Sequence, residues 1–253
     1  MGFVQVSKDE GIVTLTLTRG KVNALNEPMV EELKECLENI EKDKTIKSVI
    51  LTGNGKFFSF GFDIPEFMSY SKDAFTIYLK KFTNLYTYIF LFSKPVIAAL
   101  NGHTIAGGCM LATACDYKVM VSGKAKISLN EISFGSSVIA GSVEMLIYCV
   151  GPKNAESILY SGAMYSADEA LRLGLIDQVS SEDKFPDKVR KIAKDFAEKD
   201  SNAFSGIKEL LRKSTAERMI REELESIKKF VNIWYSEKTW QKLKEIKIHS
   251  KSC

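Results

Sequence analysis

A pair of glycines between two apolar segments constrains the fold of this chain most. The segments Val96–Leu100 and Tyr117–Val121 are short, apolar and typical of buried strands. Between them Gly107 and Gly108 open a short apolar helix, predicted over 109–114. Glycines at a helix start remove bulk where backbone N–H groups lack intrahelical partners, and such a start attracts negative charge. The stretch predicts an α/β fold with either close helix-to-sheet packing or a ligand site at these glycines.

The rest of the chain alternates strand and helix patterns and then becomes helical. The expected strands are an amino-terminal hairpin (3–6 and 12–18) followed by 48–52, 125–129 and 176–179. The expected helices are one capped by Asn26, an aromatic one over 65–92, a pair over 138–150 and 153–160, and one that opens on the Ser166 to Glu169 capping box and stops at Gly174. From Pro186 onward we expect helices, one capped by Ser201 through Leu211 and one with the apolar stripe Ile220, Leu224, Ile227, Val231 and Trp234.

Length, charge and cysteine usage exclude several classes of protein. The 253 residues fit an α/β core over 1–185 and a helical region over 186–253. A net charge of +3 is too mild to indicate nucleic-acid binding. The most apolar run, 85–100, is interrupted by Lys94 and Pro95, so we expect no membrane span. No Cys-x-x-Cys pair occurs, so we expect no metal site. Because no secretory leader is recognisable, we expect a cytoplasmic protein with reduced thiols.

Two further segments carry candidate chemistry. The loop 53–64 contains glycines and four phenylalanines, although a surface turn is normally polar. Apolar loops after strands of α/β proteins often bind ligands, but such a loop can also fold over its own core. Glu131 follows a predicted strand on an apolar-flanked loop. By itself it is more readily interpreted as a salt-bridged loop carboxylate.

In this order the segments resemble the crotonase, or enoyl-CoA hydratase/isomerase, superfamily. The resemblance covers nearly the whole chain and rests on the motifs Val-Asn-Ala-Leu-Asn at 22–26, Phe-Ser-Phe-Gly-Phe-Asp at 58–63, Lys-Pro-Val-Ile-Ala-Ala at 94–99, Asn-Gly-His-Thr-Ile-Ala-Gly-Gly at 101–108, Cys-Asp at 115–116 and Ala-Leu-Arg-Leu-Gly-Leu-Ile-Asp at 170–177. The resemblance implies a spiral of strand-strand-helix turns with a helical C-terminal region. It also implies an acyl-CoA thioester substrate, no separate cofactor because coenzyme A is part of that substrate, and a homotrimer or a dimer of trimers.

The resemblance also implies roles for particular residues. The backbone N–H groups of Phe62 and Gly107 correspond to the family's oxyanion hole for the thioester carbonyl, and Glu131 to a catalytic acid/base. Substrate binding is implied, largely through backbone contacts, for Val22, Ala24, Leu25, Ser59, Phe60, Gly61, Asp63, Ile64, Gly108, Met110 and Asn130. Phe230 and lysines of the C-terminal helix are expected to cover the coenzyme A of a neighbouring subunit.

Departures from the family pattern narrow the reaction. Hydratases of the family carry two glutamates, and the first of these positions is Met110 here. Dienoyl-CoA isomerases carry an additional acid where this chain has Ile139. A single glutamate in a Leu-Asn-Glu context, with Met110 and Phe62 in an apolar wall, resembles the delta-3-to-delta-2 enoyl-CoA isomerases. The alternatives are another crotonase-type thioester reaction (hydratase, hydrolase or decarboxylase) and a non-catalytic acyl-CoA binder.

Overall fold

The computed structural model describes residues 2–246 as an α/β protein with two sheets. The strands are β1 (Val4–Asp9), β2 (Ile12–Leu17), β3 (Ser48–Gly53), β4 (Phe57–Ser59), β5 (Val96–Leu100), β6 (His103–Ile105), β7 (Tyr117–Val121), β8 (Ile127–Ser128) and β9 (Gln178–Ser180). The helices are α1 (Glu27–Lys42), α2 (Ile64–Phe67), α3 (Lys72–Leu91), α4 (Gly107–Ala114), α5 (Ala140–Ser161), α6 (Ala167–Leu173), α7 (Phe185–Ala197), α8 (Ser201–Trp234) and α9 (Glu237–Glu245). Short 3₁₀ turns lie at Glu131–Phe134 and Glu182–Lys184.

The chain passes between the two sheets as it advances. The larger sheet has the order β1-β2-β3-β5-β7-β9, with β1 antiparallel to β2 and the later pairs parallel. The smaller sheet is parallel, in the order β4-β6-β8. Strands β3, β5 and β7 of the large sheet are therefore each followed along the chain by a strand of the small one. This alternation is the spiral of strand-strand-helix turns that the resemblance implied.

Local capping signals form as the sequence predicts. The Asn26 side chain accepts a hydrogen bond from the Met29 N–H and begins α1. Ser166 and Glu169 form a complete capping box at α6, which ends at Gly174 in the left-handed region at φ 76°. The predicted break between two helices occurs inside α5, where Gly151 has φ 74° and ψ 163°.

Several predicted boundaries are wrong for identifiable reasons. The helix expected over 65–92 is divided, because Asp63 caps α2 and Ser71 begins α3 by accepting from the Ala74 N–H. The helix expected to end at Leu211 continues as α8 to Trp234, and its cap is Asp200 rather than Ser201. The strand expected over 125–129 is only Ile127–Ser128, and the hairpin strand β1 extends to Asp9. Strands β4 and β6 were not predicted.

The long C-terminal helix α8 packs against the aromatic helix α3. On α8, the C-terminal part of the predicted apolar stripe (Ile227, Val231 and Trp234) is buried. Ile220 and Leu224, in its N-terminal part, are more than half exposed. The helical region begins at Phe185, and the division of the chain into 1–185 and 186–253 stays a prediction. The lysine-rich end predicted to be solvated extends past residue 246, so its last part lies outside the described residues. Within 2–246, no helix combines the length and apolar character needed to cross a membrane.

Candidate active site

The carboxyl ends of the three strands of the small sheet bring the candidate segments together. Strand β4 leads to Phe62, β6 leads to Gly107, and β8 leads to Glu131. The ends of β6 and β8 are in register, with Ile105 opposite Ser128, and the Ala106 N–H donates to the Ser128 carbonyl at 2.8 Å. Ligands of parallel α/β sheets bind outside such strand ends. Segments far apart in the sequence therefore meet at one edge.

Glycines allow the loop after β4 to lie directly against the start of α4. A Cβ atom on Gly61, which has φ 90°, would lie 2.8 Å from the Ile105 carbonyl oxygen and 2.9 Å from the Gly107 nitrogen. A Cβ atom on Gly108 would lie 2.6 Å from the Ser59 carbonyl oxygen. These distances are too short for a side chain at either glycine. The glycine motifs therefore have a packing role, and that packing also brings Phe62 beside Gly107, whose own Cβ would lie 3.0 Å from the Phe62 ring.

Two backbone N–H groups at this junction have no acceptor among the residues that the structure describes. The Phe62 N–H points away from Leu25, because the bridge between these residues uses the Gly61 carbonyl and the Asp63 N–H instead. The Gly107 N–H is in the first turn of α4, which has no side-chain cap. Neither group donates to an atom of residues 2–246. The residue before Gly107, Ala106, has φ 49° and ψ −118°, a strained conformation of the kind that accumulates at functional sites.

Glu131 is a buried carboxylate without a partner in the described chain. It begins the 3₁₀ turn after β8 and is 4% exposed. Neither carboxylate oxygen has a hydrogen-bond partner among the described residues. Burial in these surroundings raises the pKa of the Glu131 carboxyl to about 8. The salt-bridge interpretation of this residue is therefore wrong, and the group is poised to exchange a proton near neutral pH.

A cavity of about 200 Å³ lies between these groups and the C-terminal helices. Its walls are mostly aromatic and aliphatic: Phe60, Phe62, Ile64, Ile105, Ala106, Asn130, Glu131, Phe134, Phe230, Trp234 and Ile246. Within the described chain, Glu131 is the one ionisable side chain of that lining. Asn130 Oδ1 and Trp234 Nε1 are also buried without a partner in residues 2–246. The arrangement combines a single acid/base, two free N–H donors and an apolar wall.

Most of the remaining predicted binding residues lie in two segments, 22–25 and 59–63, that are joined by backbone hydrogen bonds. The Phe60 N–H donates to the Val22 carbonyl at 2.9 Å, and the Leu25 N–H donates to the Gly61 carbonyl at 2.7 Å. Ala24 is buried between these two contacts. The segment 22–25 thus packs against the loop 59–63 through these backbone hydrogen bonds.

Two polar side chains of the loop 59–63 already have partners within the protein. The Ser59 hydroxyl donates to the Asn23 carbonyl at 2.8 Å and accepts from the Gly61 N–H at 3.1 Å. Asp63 pairs with Arg19 and caps α2 by accepting from the Glu66 N–H. Their side chains are therefore structural, and a ligand would meet the backbone at these positions.

One sequence-based placement is wrong. Met110 is buried inside α4 and does not contribute to the cavity wall, which is formed by aromatic and aliphatic side chains instead. Phe230 is buried in its own chain and lines the same cavity as Glu131, and its contact with a neighbouring subunit's coenzyme A stays a prediction. Trp234, one helical turn later, was predicted only as a member of an apolar stripe. Its adjacency to Phe230 on one helix face was the available signal.

No group of three or more His, Cys, Asp or Glu side chains suited to a metal ion occurs in the part of the chain that the structure describes. The four cysteines inside that part, Cys36, Cys109, Cys115 and Cys149, are free thiols.

Comparison with known proteins agrees with this geometry. Residues 7–245 match the family model described as enoyl-CoA hydratase/isomerase. The mouse protein "Enoyl-CoA delta isomerase 1, mitochondrial" is 30% identical over 232 residues, covering 91% of this chain and 80% of that protein. A "Probable enoyl-CoA hydratase" of Bacillus subtilis is 33% identical over 213 residues, covering 83% of this chain and 82% of its own length.

Among solved structures, human mitochondrial delta3-delta2-enoyl-CoA isomerase superposes with a TM-score of 0.92 at 27% identity, and 96% of each chain is covered. Isomerases and hydratases are thus similarly close in sequence. The match of the family model to nearly the whole chain, together with these relatives, shows that the protein belongs to the enoyl-CoA hydratase/isomerase family.

Proposed function

We propose that this protein is an enoyl-CoA isomerase that moves a double bond from the beta–gamma to the alpha–beta position of an acyl-CoA thioester. The observation that carries the proposal is the single ionisable group that the described residues place in a mostly apolar cavity, Glu131, beside the Phe62 and Gly107 N–H groups that have no acceptor in residues 2–246. One base that removes a proton and returns it elsewhere is sufficient for isomerisation, because the reaction needs no second reactant.

The proposed reaction begins with the thioester carbonyl oxygen accepting hydrogen bonds from the Phe62 and Gly107 N–H groups. A carboxylate oxygen of Glu131 then removes a proton from C2, and the electron pair of the broken C–H bond moves toward the carbonyl oxygen. The resulting dienolate is stabilised by the two donors and by the amino-terminal end of α4. One donor of this kind contributes about 3–4 kcal/mol of transition-state stabilisation.

The reaction ends when the protonated Glu131 returns the proton to C4, which leaves the double bond between C2 and C3. Burial that raises the pKa of Glu131 makes the carboxylate a stronger base and its protonated form persistent enough to complete the transfer. The aromatic wall excludes water, which would otherwise compete for the dienolate. Atoms balance because the proton removed is the proton returned.

Hydration is the competing reaction, since hydratases are among the similar proteins. Addition of water to a double bond needs an acid and a base on either side of that water. At the two positions where related enzymes carry a second acid, this chain has Met110 and Ile139, and both are buried and apolar. The apolar residues at these two positions thus favour isomerisation over hydration.

We further propose that the coenzyme A moiety follows the segment 22–25 and the loop 59–63, and that the protein is cytoplasmic. Assembly as a homotrimer or a dimer of trimers is supported by apolar side chains of α8 that are more than half exposed in the single chain: Ile207, Leu210, Leu211, Ile220 and Leu224. Apolar surface of this kind is usual where subunits meet.

The test is a spectroscopic assay of 3-hexenoyl-CoA conjugation at neutral pH, with crotonyl-CoA hydration measured beside it. Wild type should conjugate 3-hexenoyl-CoA rapidly and hydrate crotonyl-CoA poorly. Glu131→Gln should lose at least about a thousandfold in turnover, because it removes the only base but keeps the shape of the side chain. Asp195→Asn, on the exposed side of α7, is the matched control and should retain full activity.

Calorimetric binding of hexanoyl-CoA completes the experiment. Glu131→Gln should bind this saturated thioester about as tightly as wild type, since the oxyanion donors are backbone groups. Wild-type turnover by the Gln variant would contradict the assignment of Glu131. Fast hydration by the wild type would show that the argument from Met110 is wrong.

A further inference from the structure

The cavity beside Glu131 has an open side and a closed end. Phe60, Asn130, Phe134 and Ile246 are partly exposed and therefore lie toward the entrance. The two lining residues of α8, Phe230 and Trp234, are each 1% exposed. An acyl chain that enters past the oxyanion donors must consequently end against α8.

Two stacked aromatic side chains form this closed end, and a third aromatic side chain packs behind them. The rings of Phe230 and Trp234, one helical turn apart, are stacked with centroids 5.7 Å apart. Phe75 of α3, which is fully buried, lies behind them, with its centroid 4.8 Å from that of Trp234. The next residue after Trp234 is also fixed, because the Tyr235 hydroxyl donates to the Tyr70 carbonyl at 2.7 Å. A longer chain cannot push the wall back without displacing α3 or the end of α8.

The cavity volume limits what fits in front of this wall. A cavity of about 150 Å³ holds the six carbons of benzene, which corresponds to roughly 25 Å³ per atom. At that rate the approximately 200 Å³ beside Glu131 accommodates about eight non-hydrogen atoms. The carbon, oxygen and sulfur of the thioester occupy three of these places, which leaves about five carbons beyond the carbonyl.

We propose that Trp234, with Phe230, determines chain-length specificity and restricts the acyl group to short chains of about six carbons. This inference rests on the proposed function, in that it assumes the cavity takes the acyl part of an enoyl thioester. Trp234 acts here through its bulk, because its indole N–H is buried and has no acceptor within residues 2–246. The substrate class is accordingly the short-chain 3-enoyl thioesters.

Binding of saturated butyryl-, hexanoyl-, octanoyl- and decanoyl-CoA, measured by calorimetry, tests the proposal on the whole protein. For wild type the affinity should rise about fourfold per methylene while the chain still fits. Beyond hexanoyl-CoA it should fall at least tenfold. Octanoyl-CoA that binds as tightly as hexanoyl-CoA would overturn the proposal.

Two substitutions of Trp234 separate bulk from hydrogen bonding. Trp234→Leu shortens the wall and should bind octanoyl-CoA at least tenfold more tightly than wild type does. Trp234→Phe keeps most of the wall but removes the N–H, and it should bind hexanoyl-CoA within about threefold of wild type. A large loss of hexanoyl-CoA affinity in the Phe variant would show that the N–H binds the ligand, against the proposal.

Phe230→Leu provides an independent test if Trp234→Leu does not fold, as judged by circular dichroism and thermal unfolding. It should relax the length limit in the same direction by a smaller factor. A folded variant of either residue with the wild-type length preference would contradict the proposal. Because saturated thioesters cannot isomerise, a length limit without 3-hexenoyl-CoA turnover would reject only the proposed function, and turnover without a length limit would reject only this inference.

Discussion

Two buried carboxylates near opposite ends of α4 are treated in opposite ways by the fold. The Asp116 side chain, just past the carboxyl end of the helix, is 8% exposed and accepts hydrogen bonds from Lys208 Nζ and the Val96 N–H, both at 2.8 Å. Its other oxygen lies 3.1 Å from the guanidinium of Arg212. Glu131, near the amino end, is 4% exposed and has no partner in residues 2–246.

The cations around Asp116 also complete the end of α4. The Arg212 guanidinium donates to the Ala114 and Cys115 carbonyls, at 3.1 and 3.2 Å, where the helix leaves its last carbonyl groups unpaired. Positive charge is favourable at that end. The amino end, in contrast, keeps the Gly107 N–H free.

The difference shows how the same chemical group becomes structural or reactive. A buried charge that is fully paired contributes to a fixed arrangement, and its removal is costly because its partners are left uncompensated. A buried carboxylate without a partner is costly in its charged form, so its pKa rises, as it does for Glu131. The charged form of Glu131 thus lowers the stability of the folded protein near the amino end of α4, where this carboxyl group can exchange a proton. Three measurements test this contrast.

Asp116→Asn should have the largest effect. The substitution keeps the size of the side chain and an oxygen for the Val96 N–H, but leaves Lys208 and Arg212 buried without a counter-charge. We expect the free energy of unfolding to fall by about 4 kcal/mol. Chemical denaturation at pH 7 measures it. Asp195→Asn, which breaks an exposed pair with Lys191, is the matched control and should cost less than about 0.5 kcal/mol. Equal effects of the two substitutions would remove the basis of the comparison.

Glu131→Gln should stabilise the protein at neutral pH. The folded-state pKa of about 8 lies above the ordinary value of 4.5, so the native state holds a proton that the unfolded chain releases between these values. Stability from this group is therefore complete below pH 4.5 and is lost as the pH rises toward 8. At pH 7 the loss reaches about 3 kcal/mol, which the Gln variant avoids.

Denaturation of wild type and Glu131→Gln at pH 4.5 and pH 7 measures this difference. The two proteins should be nearly equally stable at pH 4.5 and should diverge at pH 7, with the variant the more stable. A variant that is less stable than wild type at both values would mean that Glu131 is paired in solution.

The pH dependence of activity should show the smallest effect. The carboxylate form of Glu131 is the base, so kcat/KM for 3-hexenoyl-CoA should rise about tenfold from pH 7 to pH 9, following the free enzyme's pKa of about 8. Initial rates at limiting substrate measure it. A profile that is flat over this range would indicate a solvated Glu131 with an ordinary pKa, in which case the stabilising effect of Gln should also be absent.

Local signals in the sequence were sufficient for much of the fold and for the candidate acid/base. The Asn26 cap, the Ser166 capping box and the stop at Gly174 depend on residues within one or two helical turns, so they form as expected. Strands β4 and β6 have only three residues each, too few to show a period, and the small sheet that aligns Phe62, Gly107 and Glu131 was correspondingly not predicted as a sheet.

Residue identities were sufficient to predict the alternation of elements, the glycines that permit close backbone approach, and a single candidate glutamate where the resemblance implies two in the hydratases. These features depend on residue identity and short-range spacing. The groups that surround that glutamate became evident only from the packing of the folded chain. Phe230 and Trp234 reach the cavity, and Lys208 and Arg212 reach Asp116, across about a hundred residues of chain. A helical stripe predicts a buried face but not its partner, because the partner is selected by packing and charge between elements distant in sequence.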